Sequence, residues 1–170
     1  MTAFTKIIEA KRALQSAVGD FLIDIDDSLL CEHSFSLSAL EAIEIKADKS
    51  KSYIYVFSTK EASQIKEACR KMKASQTKIK LPLISKATTP SDCLYVGSST
   101  TGITKRIKEH LGFGHDSTYS LQLNKWAGGI DAQIILKVYE FSGIEQSIVQ
   151  LIEDGLHEKL SPTLGKRGSK

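Results

Sequence analysis

Apolar residues along the chain recur in two rhythms: a helical stripe in some stretches and dense runs of aromatic and β-branched side chains in others. In residues 3–18 the stripe is Phe4, Ile7, Ile8, Leu14 and Val18, which predicts a helix closing at Gly19. Residues 21–25 are apolar and partly alternating, and Asp24, Asp26 and Asp27 crowd their end. The three acids lack the glycine and distal glutamate of a calcium loop and read as a turn and helix cap. Ser38 and Glu41 stand at capping-box spacing and predict a second short helix over 36–47. The first quarter, 1–48, thus reads as a helical extension without chemistry of its own.

From residue 49 the pattern changes. SYIYVFS (52–58) predicts a buried strand, 60–73 a helix with Glu67 and Lys71 one turn apart, and 74–92 a loop containing Pro82 and Pro90. CLYVGSS (93–99) repeats the strand signature. A helix over 100–111 follows, ended by Gly112 and the turn GFGHDS. Residues 119–126 predict another short helix, 132–141 a third strand, and 144–160 an amphipathic helix stopped by Pro162. This order predicts the α+β class, a small sheet with helices packed on it, rather than an alternating parallel sheet.

Composition narrows the picture further. A chain of 170 residues with 41% hydrophobic and 25% charged positions has enough apolar content for one folded core, which excludes a disordered or fibrous protein. The net charge of +3 permits a nucleic-acid partner without arguing for one, although bases outnumber acids from Lys49 onward. Cys31, Cys69 and Cys93 form no CxxC pair, so they read as ordinary thiols in a reducing compartment. With no signal-like N-terminus and no run of about 20 apolar residues, the expected location is the cytoplasm.

The chemistry concentrates in residues 94–114. A strand carries Tyr95, Gly97 permits a sharp turn, and the next helix holds Arg106 and His110 four residues apart, hence on one face. An arginine grips two phosphate oxygens and stays charged, while a histidine beside it can relay a proton or bind phosphate. Alone, such a pair is usually a solvated face.

In context these residues are similar to the GIY-YIG nuclease core. YIYVF (53–57), LYVGSS (94–99), the Arg106–His110 pair, and Glu153 nine positions before Pro162 follow that family's order over about two-thirds of the chain. The resemblance implies a small antiparallel three-stranded sheet flanked by helices over 49–170, with an insertion at about 59–92. It implies a metal-dependent endonuclease acting on nucleic acid, with DNA the expected substrate. Tyr55 and Tyr95 would position or activate water, Arg106 would brace the phosphate, and His110 would touch it or move a proton. Glu153 would hold one Mg²⁺ or Mn²⁺ ion, and Gly97, Ser98, Lys105 and His115 would border the substrate. The chain departs from the family pattern in its long insertion, in Tyr53 where GIY has glycine, and in lacking an asparagine after Pro162. The rival expectation is a non-catalytic nucleic-acid-binding or protein-interaction module that keeps the fold. Neither His157, one turn after Glu153, nor Glu145 at the helix start is expected to be the metal ligand.

Overall fold

A computed structural model of the chain describes residues 3–24, 28–75, 78–86, 91–115 and 117–167. In chain order these form α1 (Ala3–Asp24), β1 (Leu29–Ser36), β2 (Ser52–Ser58), α2 (Ala62–Ala74), β3 (Cys93–Ser99), α3 (Ile103–Leu111), β4 (Gln133–Phe141) and α4 (Gln146–Leu160). Short 3-10 turns occupy Leu37–Ala39 and Leu123–Lys125. The fold is α+β, as the patterning predicts. Its sheet has four strands rather than three, in the order β1-β4-β2-β3, and the strand pairs are antiparallel.

The fourth strand comes from the stretch read as helical. LLCEHSFS alternates, with Leu30, Glu32 and Ser34 exposed, and pairs with β4 from Leu29 against Tyr139 to Ser36 against Gln133. The helix expected over 36–47 is a single 3-10 turn, where the Ser36 hydroxyl accepts the Ser38 N–H at 3.3 Å. Leu37 and Ile45 are then drawn into the core. At the N-terminus α1 runs past Gly19 to Asp24 and packs along α4. A glycine inside a helix costs roughly 1 kcal/mol against alanine, which tertiary packing readily offsets. Asp26 and Asp27 lie outside the described residues.

Alternation along β2 divides the core in two. Tyr53, Tyr55 and Phe57 face a cluster containing Leu94, Ile103, Ile107 and Leu111, whereas Ile54 and Val56 face Val96, Val149, Ile152 and Leu156. The first side is closed by α3 and the second by α4. Val149, Ile152 and Leu156 share one stripe of α4, and burying each contributes roughly 1.5–3 kcal/mol. The register of β2 and β3 shifts after the Phe57–Tyr95 pair, so that Ser58 faces Cys93. Among the described residues no helix is long and apolar enough to cross a membrane.

Candidate active site

The C-terminal end of β3 is where the two sides meet, because successive side chains on a strand point to opposite faces. Gly97 lies under the ring of Tyr55, its cross-strand partner, and the next residue, Ser98, donates its hydroxyl proton to Glu153 of α4. The closeness of Tyr55 explains the glycine. A Cβ at position 97 would stand 2.4 Å from the Tyr55 hydroxyl and 2.6 Å from its ring carbon, too close for any side chain.

On the Tyr55 side the polar groups form a chain. His110 is fully buried, with the rings of Tyr55, Phe57 and Tyr95 at 5.2, 5.5 and 4.6 Å. Its Nδ1 accepts the Leu121 N–H at 3.1 Å, and its Nε2 lies 2.9 Å from the Tyr55 hydroxyl. Burial and then the nearby charge of Arg106 hold its pKa well below the imidazole range. The ring is therefore neutral. With Nδ1 accepting, Nε2 carries the proton and donates it to the Tyr55 oxygen.

Arg106 completes this chain. Its Nε donates to the Tyr55 hydroxyl at 3.2 Å, one terminal nitrogen to Glu109 at 3.0 Å, and the other to the Tyr119 carbonyl at 3.1 Å. Three of its five donors are thus committed, leaving the rest for Tyr95 and the cleft. Burial works against the charge, but Tyr55, Tyr95 and Glu109 outweigh it and the net shift is upward. The guanidinium stays ionised. Tyr95 stacks on Tyr55 with ring centres 6.3 Å apart and is the more accessible of the two phenols. Burial pushes both phenols above the ordinary tyrosine range, against the pull of Arg106.

The segment over 119–126 explains both anchors. Its backbone groups are taken by side chains: the Tyr119 carbonyl by Arg106, the Leu121 N–H by His110, and the Leu121 carbonyl by the Trp126 indole at 2.7 Å. Gln122 adopts a left-handed conformation at φ 50°. These groups are withdrawn from helix formation, so the expected helix shrinks to one 3-10 turn.

On the other side Glu153 is largely enclosed. Burial raises its pKa, while the Ser98 hydrogen bond and, more weakly, Arg106 pull it down. Asp154 beside it is buried and accepts a hydrogen bond from Gln150 at 3.1 Å. His157 has its Nε2 buried without a hydrogen-bond partner, and burial with the Arg167 charge keeps its pKa below the usual value. Between the halves opens a cleft of about 300 Å³, bordered by Ser98, Gly102, Lys105 and Arg106 on one side and by Gln146 and Gln150 on the other. Lys105 also lines the neighbouring groove along α3. Lys105 matters because Glu109 offsets the charge of Arg106, and the cleft needs another cation to be net positive.

Behind Tyr95 the segment after Pro162 runs beside β3. Thr163 N–H and Leu164 N–H donate to the Cys93 and Leu94 carbonyls at 2.9 Å each, and Ile84 bridges to Leu164. Gly165, at φ 101°, sits where a Cβ would come within 2.9 Å of the Tyr95 ring. The post-proline stretch therefore supports Tyr95 through backbone and a missing side chain. His115 lies in the turn after α3, where its Nδ1 is engaged by Ser117 at 2.8 Å.

Glu153 is the one carboxylate that the family resemblance assigns to a metal. Among the described residues no group of three or more His, Cys, Asp or Glu side chains could hold a metal. One Glu153 oxygen accepts from Ser98, which itself lines the cleft, and a site with a single carboxylate would leave a magnesium ion most of its waters. A cation there would offset the burial that disfavours the carboxylate charge.

Glu109 and the Tyr119 carbonyl went unrecognised in the sequence as supports of Arg106. The i,i+3 spacing of Arg106 and Glu109 was the available signal for the first; nothing local signals the second. Comparison with protein-family models, curated proteins and solved structures yields no match to this chain, so the assignment of function rests on the geometry of the site.

Proposed function

We propose that the chain is a metal-dependent phosphodiester hydrolase of the GIY-YIG type acting on nucleic acid, DNA foremost. The observation that carries this reading is the cleft at the end of β3, which is lined both by Arg106, fixed by its hydrogen bonds, and by Ser98, whose hydroxyl is bonded to Glu153. Their charges act on one another: Arg106 lowers the pKa of Glu153, and Glu153 raises those of Tyr55 and Tyr95.

In this reading Arg106 braces the non-bridging oxygens of the scissile phosphate, and its three protein hydrogen bonds set the angle of the fork before substrate arrives. Tyr95 is the phenol beside the attacking water. It remains protonated at neutral pH, so it orients the water by hydrogen bonding instead of removing a proton outright. Tyr55 and His110 are positioning residues: the neutral imidazole fixes the Tyr55 hydroxyl, and that hydroxyl fixes Arg106. Glu153 would hold the Mg²⁺ or Mn²⁺ ion, which when bound supplies Lewis acidity and makes a coordinated water more acidic. Lys105 adds the positive charge that Glu109 subtracts.

The test is cleavage of a supercoiled plasmid with Mg²⁺ by the natural chain and by Arg106→Ala and Glu153→Gln. The natural chain is expected to nick it, with each variant reduced by about 10²-fold or more. Equal cleavage by all three would exclude this site. The pairing of Glu109 with Arg106 favours the second reading, a binding module without chemistry, and nucleic-acid binding with no cleavage under any divalent ion would establish it.

A further inference from the structure

Beside the cleft a larger groove of about 800 Å³ runs along α3, and the two share Thr101, Gly102, Lys105 and Glu109. The two adjoin at these four residues, and the groove lies beyond them from Arg106 as a trough along α3. Its lining combines two kinds of group. Lys49, Lys105 and Lys108 border it, and among the described residues none of the three makes an ion pair. The two acids of the groove are already engaged. Asp48 accepts hydrogen bonds from the Ser50 N–H at 2.8 Å and hydroxyl at 2.7 Å, and Glu109 pairs with Arg106. On the far wall Phe113 leaves 41% of its surface exposed. The turn holds it there, since the Phe113 N–H donates back to the Lys108 carbonyl at 2.9 Å.

We infer that this trough binds an unpaired stretch of nucleic-acid strand, with its phosphates at Lys49, Lys105 and Lys108 and one base stacked on Phe113. The polarity of the trough, starting at the phosphate on Arg106, rests on the hydrolase reading; the binding itself does not. Unpaired lysines attract the backbone of any nucleic acid and do not discriminate. The aromatic ring does. A base inside a duplex has both faces covered by its neighbours, so an exposed phenyl beside a row of cations is useful only to a base that has left the stack. An acidic peptide would meet the lysines but would gain nothing specific from Phe113.

Fluorescence anisotropy with a labelled oligothymidylate and a blunt duplex of equal length, on the full chain in EDTA, tests this directly. The single strand is expected to bind roughly tenfold more tightly than the duplex. Phe113→Ala should weaken single-strand binding by about tenfold and leave the duplex unchanged, while Phe113→Trp keeps it. Phe113 is exposed, so its removal should leave the circular dichroism and melting of the chain intact. Lys108→Ala should weaken both forms and flatten the salt dependence. An oligouridylate arm separates RNA from DNA, and tight binding of either supports the trough. Equal affinity for single strand and duplex, indifference to Phe113→Ala, or competition by polyglutamate as strong as by oligothymidylate each overturns it. Cleavage of the same oligonucleotide with Mg²⁺ is read separately. Phe113-dependent binding by a chain that also leaves the plasmid uncut with Mg²⁺ would sink the hydrolase reading and leave the trough standing.

Discussion

The two halves of the candidate site are built differently, although one strand end carries both. On the α3 side Arg106, Tyr55 and His110 are joined by hydrogen bonds that also fasten the 119–122 segment. On the α4 side Ser98 alone among the described residues hydrogen-bonds Glu153, and burial raises its pKa. The first half is part of the fold, so changing it disturbs stability and function together. The second carries an electrostatic cost, the burial of a carboxylate, that the fold tolerates. Mutations can separate these two kinds of half.

The largest effect belongs to Arg106→Ala. It leaves Glu109 and the Tyr119 carbonyl without their Arg106 partner and the Tyr55 hydroxyl with His110 alone, and should cost about 1–3 kcal/mol in urea unfolding beside its expected loss of cleavage. Unchanged stability would show that the network only decorates the fold. Gly97→Ala comes next. Its methyl must displace Tyr55, with an expected loss of about 1–3 kcal/mol. Shortening the clashing residue as well, in Gly97→Ala with Tyr55→Leu, should lose less than the two single changes summed, because both act on one contact. Strict additivity would break the claimed link between β3 and the Arg106 network.

How far this difference could be read from the sequence follows from range. β2, β3 and β4 are legible because aromatic and β-branched residues crowd them, and α2, α3 and α4 because their stripes repeat. β1 is not. Glu32, His33 and two serines dilute its strand character, and its partner β4 lies about a hundred residues away. Arg106 and His110 were legible as a helical pair, but that spacing could not tell that His110 is buried under three aromatic rings while Arg106 borders solvent. The Ser98–Glu153 contact depends on strand alternation and on where α4 crosses the sheet, which only the fold supplies. The loss of helix at 119–126 has the same origin, since distant side chains take its backbone groups.

Glu153→Gln probes the weaker half and should change stability in the opposite direction. A carboxyl whose folded pKa is raised destabilises the fold once pH exceeds its unfolded value, and this penalty vanishes on acidification below that value. At neutral pH the uncharged amide should therefore melt slightly higher than the natural chain without metal. Added Mg²⁺ should raise the melting temperature of the natural chain and not that of the variant. A variant that melts lower would mean that the ionised carboxylate supports the fold as Arg106 does, and the contrast between the halves would collapse.

The smallest effect, and the most specific, is expected from Ser98→Ala. The hydroxyl stabilises ionised Glu153 and so holds its pKa below where burial alone would leave it. Metal binding requires that ionised form, so kcat/KM at subsaturating Mg²⁺ should fall as pH drops through the Glu153 pKa. For the natural chain this acid limb should lie above the ordinary glutamate value of 4.5, and Ser98→Ala should move it higher still. At alkaline pH, where the carboxylate is ionised in both proteins, their rates should converge. A uniform loss of rate across the pH range would place Ser98 on the substrate instead of on the carboxylate. The weaker half would then need another source for its ionised state.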